Sequence, residues 1–402
     1  MERIYLDHNA TTPLDPGVLE AMLPFLRDFH GNASSFHAAG RAARAAVEQA
    51  RERVAGLLGA QPREIVFTSG GTEADNHALR GVVELARGRS AEAPHIVTSS
   101  IEHPAVLNTV QHLEKQGCRA TYLPVDAFAR VDPQSVREAL TDAAVLVSVM
   151  LANNEVGSLQ PLAEICGICR QRGVPIHTDA VQAAGRVPID VGALGVDLLS
   201  ISSHKIYGPK GVGALYIRRG TRVAPLIHGG HQESRRRGGT ENVAGIVGLG
   251  RAAQLAGERL ARAAEAEARL RDRLEQGLRA AVPHMRVHGH PTERLPNTLT
   301  AGFRFVEGEA LLLNLDLEGV AVSTGSACSS GDLEPSHVLI AMGVPVEEAH
   351  GTLRFSLGKD NTVEEIDRAI AAVARVVEKV RAMSPMYHDF EKRRREGASS
   401  RA

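Results

Sequence analysis

The chain has 402 residues, 43% hydrophobic and 23% charged, which excludes disorder over most of its length and points to two domains. Lys+Arg total 46 against Asp+Glu 47, a net charge of −1, so no overall field favours nucleic acid or an anionic membrane. Aromatic residues make up 3%, with no Trp, and there are 4 cysteines; base-stacking platforms and a disulfide scaffold are excluded, and a reducing compartment fits.

The start of the chain, Met1-Glu2-Arg3-Ile4-Tyr5-Leu6, has neither the basic opening nor the apolar run of a signal peptide. No stretch approaches the roughly 18 continuous apolar residues of a membrane span, so a cytoplasmic protein is expected. Residues 42–58 have helical composition, and Glu64-Ile65-Val66-Phe67-Thr68 reads as a short buried strand. Ser69-Gly70-Gly71-Thr72 then turns into a new helix. Further apolar runs predict strands at 95–99, 144–150, 174–178, 196–202 and 213–217. Short apolar runs separated by helices predict an α/β fold with a mostly parallel sheet covered on both faces. Ligands of such sheets sit outside the carboxyl ends of the strands.

The character changes near residue 251. Residues 251–281 form a long Ala/Arg/Glu/Leu-rich helical stretch, followed by strand-like pieces at 297–300 and 352–357 and a helix from Thr362. The expected division is a large domain over 14–255 and a smaller α+β domain from 1–13 and 256–383. A frayed or disordered tail is expected at 384–402.

Gly71 and Thr72 open a helix straight after a strand, where free backbone N–H groups can hold a phosphate. An ordinary strand-to-helix turn is the competing reading, since the turn is neither a Walker loop nor a dinucleotide fingerprint. Asp179 and Lys205 follow nearby strands, so carboxylate and amine should emerge on one sheet edge. That pairing suits pyridoxal phosphate (PLP), whose ring nitrogen needs an acid and whose aldehyde needs an amine. Asp179 as a helix cap and Lys205 as a solvated loop residue is the alternative. Ser202 and His204 flank the lysine as potential phosphate donors. His103, before Pro104, can stack on a flat ring or move a proton. Asn154 and Gln182 can donate to a ring oxygen. Arg354 alternates with apolar Leu353 and Phe355 and suits bidentate capture of a carboxylate, or else a solvated strand face.

Cys328 lies in Ser323-Thr324-Gly325-Ser326-Ala327-Cys328-Ser329-Ser330-Gly331, small polar residues without apolar periodicity, which predicts an exposed, mobile loop and a reactive thiol. Cys166 and Cys169 spell C-x-x-C but share a helical face with Leu162 and Ile165. Without a second cysteine pair to complete a zinc shell, core packing is expected there. Cys118 has no distinguishing context.

With these residues assembled, the chain resembles the cysteine desulfurases, PLP enzymes of aminotransferase fold type I, class V group. The resemblance runs from Tyr5-Leu6-Asp7-His8-Asn9-Ala10-Thr11-Thr12 to about Asp367. Between them it is carried by Thr68-Ser69-Gly70-Gly71-Thr72-Glu73, Glu102-His103-Pro104, Asn153-Asn154-Glu155-Val156-Gly157 and His177-Thr178-Asp179-Ala180-Val181-Gln182. Ser202-Ser203-His204-Lys205, Gly239-Thr240-Glu241-Asn242, Ser326-Ala327-Cys328 and Leu353-Arg354-Phe355-Ser356 complete it.

The resemblance implies a PLP-dependent transferase fold type I, a large domain with a mostly parallel sheet plus a smaller α+β domain. It implies conversion of L-cysteine to L-alanine, with the sulfur carried as a persulfide on Cys328. Lys205 would hold the cofactor, Asp179 its ring nitrogen and Gln182 its ring oxygen; His103 would stack on it and shuttle protons. Gly71, Thr72, Ser202 and His204 would hold the phosphate, with Thr240 reaching in from the other subunit of a homodimer. Asn154 would meet both cofactor and substrate, and Arg354 the substrate carboxylate. Implied partners are sulfur acceptors such as iron–sulfur scaffolds or tRNA-thiolation carriers. No metal site is implied, beyond Cys328 as a transient iron–sulfur ligand shared with a scaffold. His8 departs from the usual Asn of the family. A selenocysteine lyase or another class V aminotransferase is the alternative within the chemistry, and a non-catalytic binding module the alternative outside it.

Overall fold

The computed structural model describes residues 3–87, 92–324 and 335–399. Its strands are β1 (Ile4–Tyr5), β2 (Ile65–Thr68), β3 (His95–Ser99), β4 (Arg119–Leu123), β5 (Ala144–Ser148) and β6 (Ile176–Asp179). They continue with β7 (Leu198–Ser202), β8 (Gly213–Ile217), β9 (Met285–His288), β10 (Thr298–Phe303), β11 (Val320–Ala321) and β12 (Thr352–Ser356). A seven-stranded sheet has the order β2-β8-β7-β6-β5-β3-β4. All of its pairs are parallel except those of β8, which runs antiparallel to both β2 and β7.

Alternation along each strand feeds two separate apolar layers. Ile65, Phe67, Leu199 and Ile201 pack on one face, while Val66, Leu198, Leu215 and Ile217 pack on the other. Burial on both faces is why these strands read as unbroken apolar runs. The helices Ala38–Leu58 and Leu162–Arg172 and the first half of Val243–Ala281 cover the first face; Gly71–Ala86 and Pro104–Lys115 cover the second.

A third cluster lies around β10 and β12, in a three-stranded antiparallel sheet of order β12-β10-β9. It takes in Leu274 and Leu278 from the far half of Val243–Ala281, and the buried face of Val363–Ala382. Thr362 and Glu365 close the start of that last helix with a capping box. The N-terminal β1 belongs to this cluster as well, pairing in parallel with β11.

One expectation is corrected. Residues 385–399 of the tail expected to be frayed form the helix Pro385–Ser399. The Phe390 ring stacks 4.7 Å from Phe305, and Tyr387 lies 5.7 Å from the same ring. These aromatics give the helix an apolar face that its charged composition hides. The connection between β6 and β7 is mostly turns, with only the one-turn helix Val191–Leu194. β4 was not foreseen, because an edge strand of sequence Arg-Ala-Thr-Tyr-Leu needs no apolar run.

Candidate active site

The carboxyl ends of β2, β6 and β7 meet around a cavity of about 280 Å³. Gly71, Thr72, His103, Asn154 and Asp179 line it, as do Gln182, Ser202, His204 and Lys205. The residues singled out from strand ends therefore converge on one space, where parallel sheets place ligands.

Each wall has a local cause. Gly70 takes φ +157° at the end of β2, and the helix Gly71–Ala86 begins directly after it. A Cβ on Gly71 would stand 2.8 Å from Val181 Cγ2, so only glycine leaves the backbone bare there. Asp179 is the last residue of β6, and its Oδ1 accepts from Val181 N–H at 2.8 Å. His103 caps the helix Pro104–Lys115, accepting from Ala105 N–H through Nδ1 at 3.1 Å. Lys205 closes the short turn Ser203–Lys205 after β7 and donates to the carbonyls of Asn9 and Ala10. Gln182 also donates to Asn9 O, at 2.9 Å, while its Oε1 is buried without a partner.

Burial sets the charges of the site. It holds the Asp179 carboxyl above its ordinary range, with the His103 and Lys205 charges pulling it back. The Lys205 amine is pushed down to about 8, by burial first and then by the Arg354 and Arg186 charges. Burial lowers His103 as well, and takes His204 down to about 4, so the His204 ring is neutral at pH 7.

These donors fit PLP. A buried carboxyl that burial pushes toward neutrality is restored to its ionised form by a cationic ring nitrogen. The orphaned Gln182 Oε1 is a polar atom of the cavity wall awaiting a partner. The bare helix start at Gly71, with Ser202 and His204 nearby, supplies an anion cradle.

Arg354 lies on β12, outside the wall of this cavity, but joins it through Asn154. Its Nη1 donates to Asn154 O at 3.1 Å and its Nη2 to Asp7 Oδ1 at 2.9 Å, while Nε is unpartnered. Thr240 is exposed and does not line the cavity. Cys328 lies outside the described residues. Cys166 and Cys169 are buried in the core, which pushes both thiols up to about 12. His8 is a packing residue, with its ring centroid 4.9 Å from that of Tyr5 and held against Gly358.

Two groups of the site escaped sequence reasoning. Asn9 O receives both Lys205 and Gln182, a role no side-chain pattern reveals. Asp75, one turn into the helix Gly71–Ala86, is fully buried in the cavity wall, and burial and the nearby Asp179 charge hold its carboxyl well up. Its offset of four residues from Gly71 was the available signal.

Comparison with known proteins places the chain in a family. The family model for aminotransferase class-V matches residues 4–369. The chain is 51% identical over 383 residues to a cysteine desulfurase IscS of Methanosarcina thermophila, covering 95% of this chain and 94% of the relative. A solved structure of a NifS-like protein superposes with a TM-score of 0.88 at 40% identity, covering 94% of this chain and 99% of the other. A structure described as SspA in complex with cysteine matches with a TM-score of 0.78 at 38% identity, over 89% and 100% of the two chains.

Proposed function

The chain belongs to the aminotransferase class-V family and is a PLP-dependent cysteine desulfurase; from that premise we propose that it passes the sulfur of L-cysteine onto Cys328 as a persulfide. The observation that carries this reading is the convergence of Lys205, Asp179, His103 and Gln182 on one cavity beside a bare helix start.

Lys205 would hold the cofactor aldehyde, Asp179 the ring nitrogen and Gln182 the ring oxygen. Gly71, Thr72, Ser202 and His204 would hold the phosphate, with Thr240 completing it from a second copy. PLP, when bound, supplies an electron sink for negative charge developing next to the substrate amino group. Arg354, already aimed by Asp7 and Asn154 O, grips the substrate carboxylate with its fork. Asn154 would meet both the substrate carboxylate and the cofactor. His103, whose proton affinity burial lowers, would accept and return protons. The Cys328 thiolate attacks the substrate sulfur: an S–S bond forms as the C–S bond breaks, and the carbon keeps the electron pair, takes a proton and leaves as alanine.

In this reading residues 14–255 are the cofactor domain, and 1–13 with 256–383 the smaller one. A homodimer accounts for the apolar residues exposed on and near the helix Pro16–Arg27, with Leu26 at 62% and Phe36 at 86%. The acceptor is a sulfur-carrying protein such as an iron–sulfur scaffold or a tRNA-thiolation carrier, met in the cytoplasm. Among the described residues no helix is long and apolar enough to cross a membrane.

The test is Cys328→Ser. The variant should keep PLP and still change its visible absorption when cysteine is added, yet release no alanine. In the native protein, brief exposure to cysteine should add one reducible sulfur to the peptide bearing Cys328. Alanine release at the native rate, or sulfur mapping to Cys118, Cys166 or Cys169, would overturn the assignment.

A further inference from the structure

Lys205 also forms part of the wall of a second cavity, of about 40 Å³, together with Arg186, Glu267 and Tyr207. Arg186 is 4% exposed and Glu267 5%. Their contact is long for a charge-assisted bond, Nη1 to Oε2 at 3.4 Å. The guanidinium Nε and Nη2 have no hydrogen-bond partner. A buried cation with one loose counter-charge and two idle donors is costly in free energy, and the adjoining space has room for about one water. Nothing in the proposed catalytic steps uses it.

We propose that Arg186 is a positioning residue for Lys205: its weakly compensated charge, buried behind the lysine, disfavours a proton on the lysine nitrogen and so readies that nitrogen to form and release its bond to the cofactor. This rests on the reading of Lys205 as the cofactor-holding residue. Other charges also face Lys205. Asp179 from β6 and Asp7 from the N-terminal segment favour the proton, and Arg354 from β12 opposes it. His103 and His204 are close as well, and burial lowers the proton affinity of both. Arg354 is bound to Asp7 at 2.9 Å and stands ready for substrate, so its charge is compensated again whenever cysteine binds. Arg186 is beyond the reach of substrate, and its effect persists through the cycle. The lowered proton affinity of Lys205 agrees with this.

The experiment is a pH titration of the visible absorption of the PLP-loaded enzyme, which reads the proton on the nitrogen linking Lys205 to the cofactor. Glu267→Gln, which leaves Arg186 uncompensated, should lower the midpoint. Arg186→Met should raise it, each by about 0.5–1 pH unit, and Arg186→Lys should restore the native value. A residue that serves only the packing would not give shifts of opposite sign. Unmoved midpoints, or shifts in one direction in both variants, overturn the proposal. Should Arg186→Met fail to fold, Glu267→Gln decides alone: a fall supports the proposal, and no fall ends it. Borohydride reduction and peptide mapping test the underlying reading separately, since a cofactor fixed to another lysine would remove Lys205 itself.

Discussion

Glu102 is a carboxylic acid with no access to solvent. Its Oε1 accepts from Ser99 Oγ at 2.5 Å and Met150 N–H at 2.9 Å, and its Oε2 has no partner. Burial pushes the group up to about 8 from an ordinary 4.5. Between those values the folded chain keeps a proton that the unfolded chain gives up, so this group's stabilising effect is complete below about 4.5 and falls as pH rises toward 8. Gln at this position keeps the accepting oxygen and cannot ionise. Glu102→Gln should match the native protein near pH 4.5 and exceed its stability at pH 8 by about 1–3 kcal/mol, measured by urea denaturation at both pH values. Equal stabilities at pH 8 would show that Glu102 does not govern this slope. Asp75 and Asp179 share the same first cause, burial of the carboxyl. Their difference in legibility is instructive. Asp179 announced itself by ending a strand one crossover before a lysine, whereas Asp75 and Arg186 acquire their roles only from what buries them. Burial of a polar residue leaves no mark in a local pattern.

At the scale of elements, close helix contact is decided by which glycines face a neighbour. A Cβ on Gly250, in the helix Val243–Ala281, would lie 2.5 Å from the Ala50 Cα of the helix Ala38–Leu58. A Cβ on Gly56, in that second helix, would meet nothing within 4 Å. Alanine is the better helix former by about 1 kcal/mol, but overpacking against backbone costs about 1–3 kcal/mol. Gly56→Ala should therefore raise the melting temperature, and Gly250→Ala should lower it. A rise in both would mean that the two helices can part freely. Legibility of the elements follows the same distinction between local and distant causes. β2, β3 and β8 were plain as apolar runs because both of their faces are buried. The antiparallel run of β8 was not, since direction depends on the connections and not on the strand's own residues.

Across the whole molecule, one helix of 39 residues, roughly 58 Å at the standard rise, serves two cores. Ile246, Leu249 and Ala253 pack in the larger, and Leu274 and Leu278 in the smaller. Arg259, between them, reaches Asp15 at the start of the helix Pro16–Arg27, at 2.8 Å. A rigid element shared in this way couples the two cores. Leu6, fully buried in the smaller core, tests the coupling. Leu6→Ala should cost about 2–5 kcal/mol and shift a single calorimetric transition downward. Splitting of that transition into two would show that the cores unfold independently.

The pairing of β1 with β11 sets a timetable for the growing chain. Ile4 and Tyr5 leave the ribosome long before their partners, Val320 and Ala321. Asn9 N–H waits for the hydroxyl of Ser356, 347 positions later. At typical rates of synthesis that delay is on the order of tens of seconds. Throughout it the carbonyl of Asn9, which receives Lys205 and Gln182, belongs to a segment that still lacks its anchors on β11 and β12. The larger sheet, closed by β8, can form well before then. The lysine is therefore in place long before the floor beneath it, and the cavity becomes competent only when the last strand, β12, has been made.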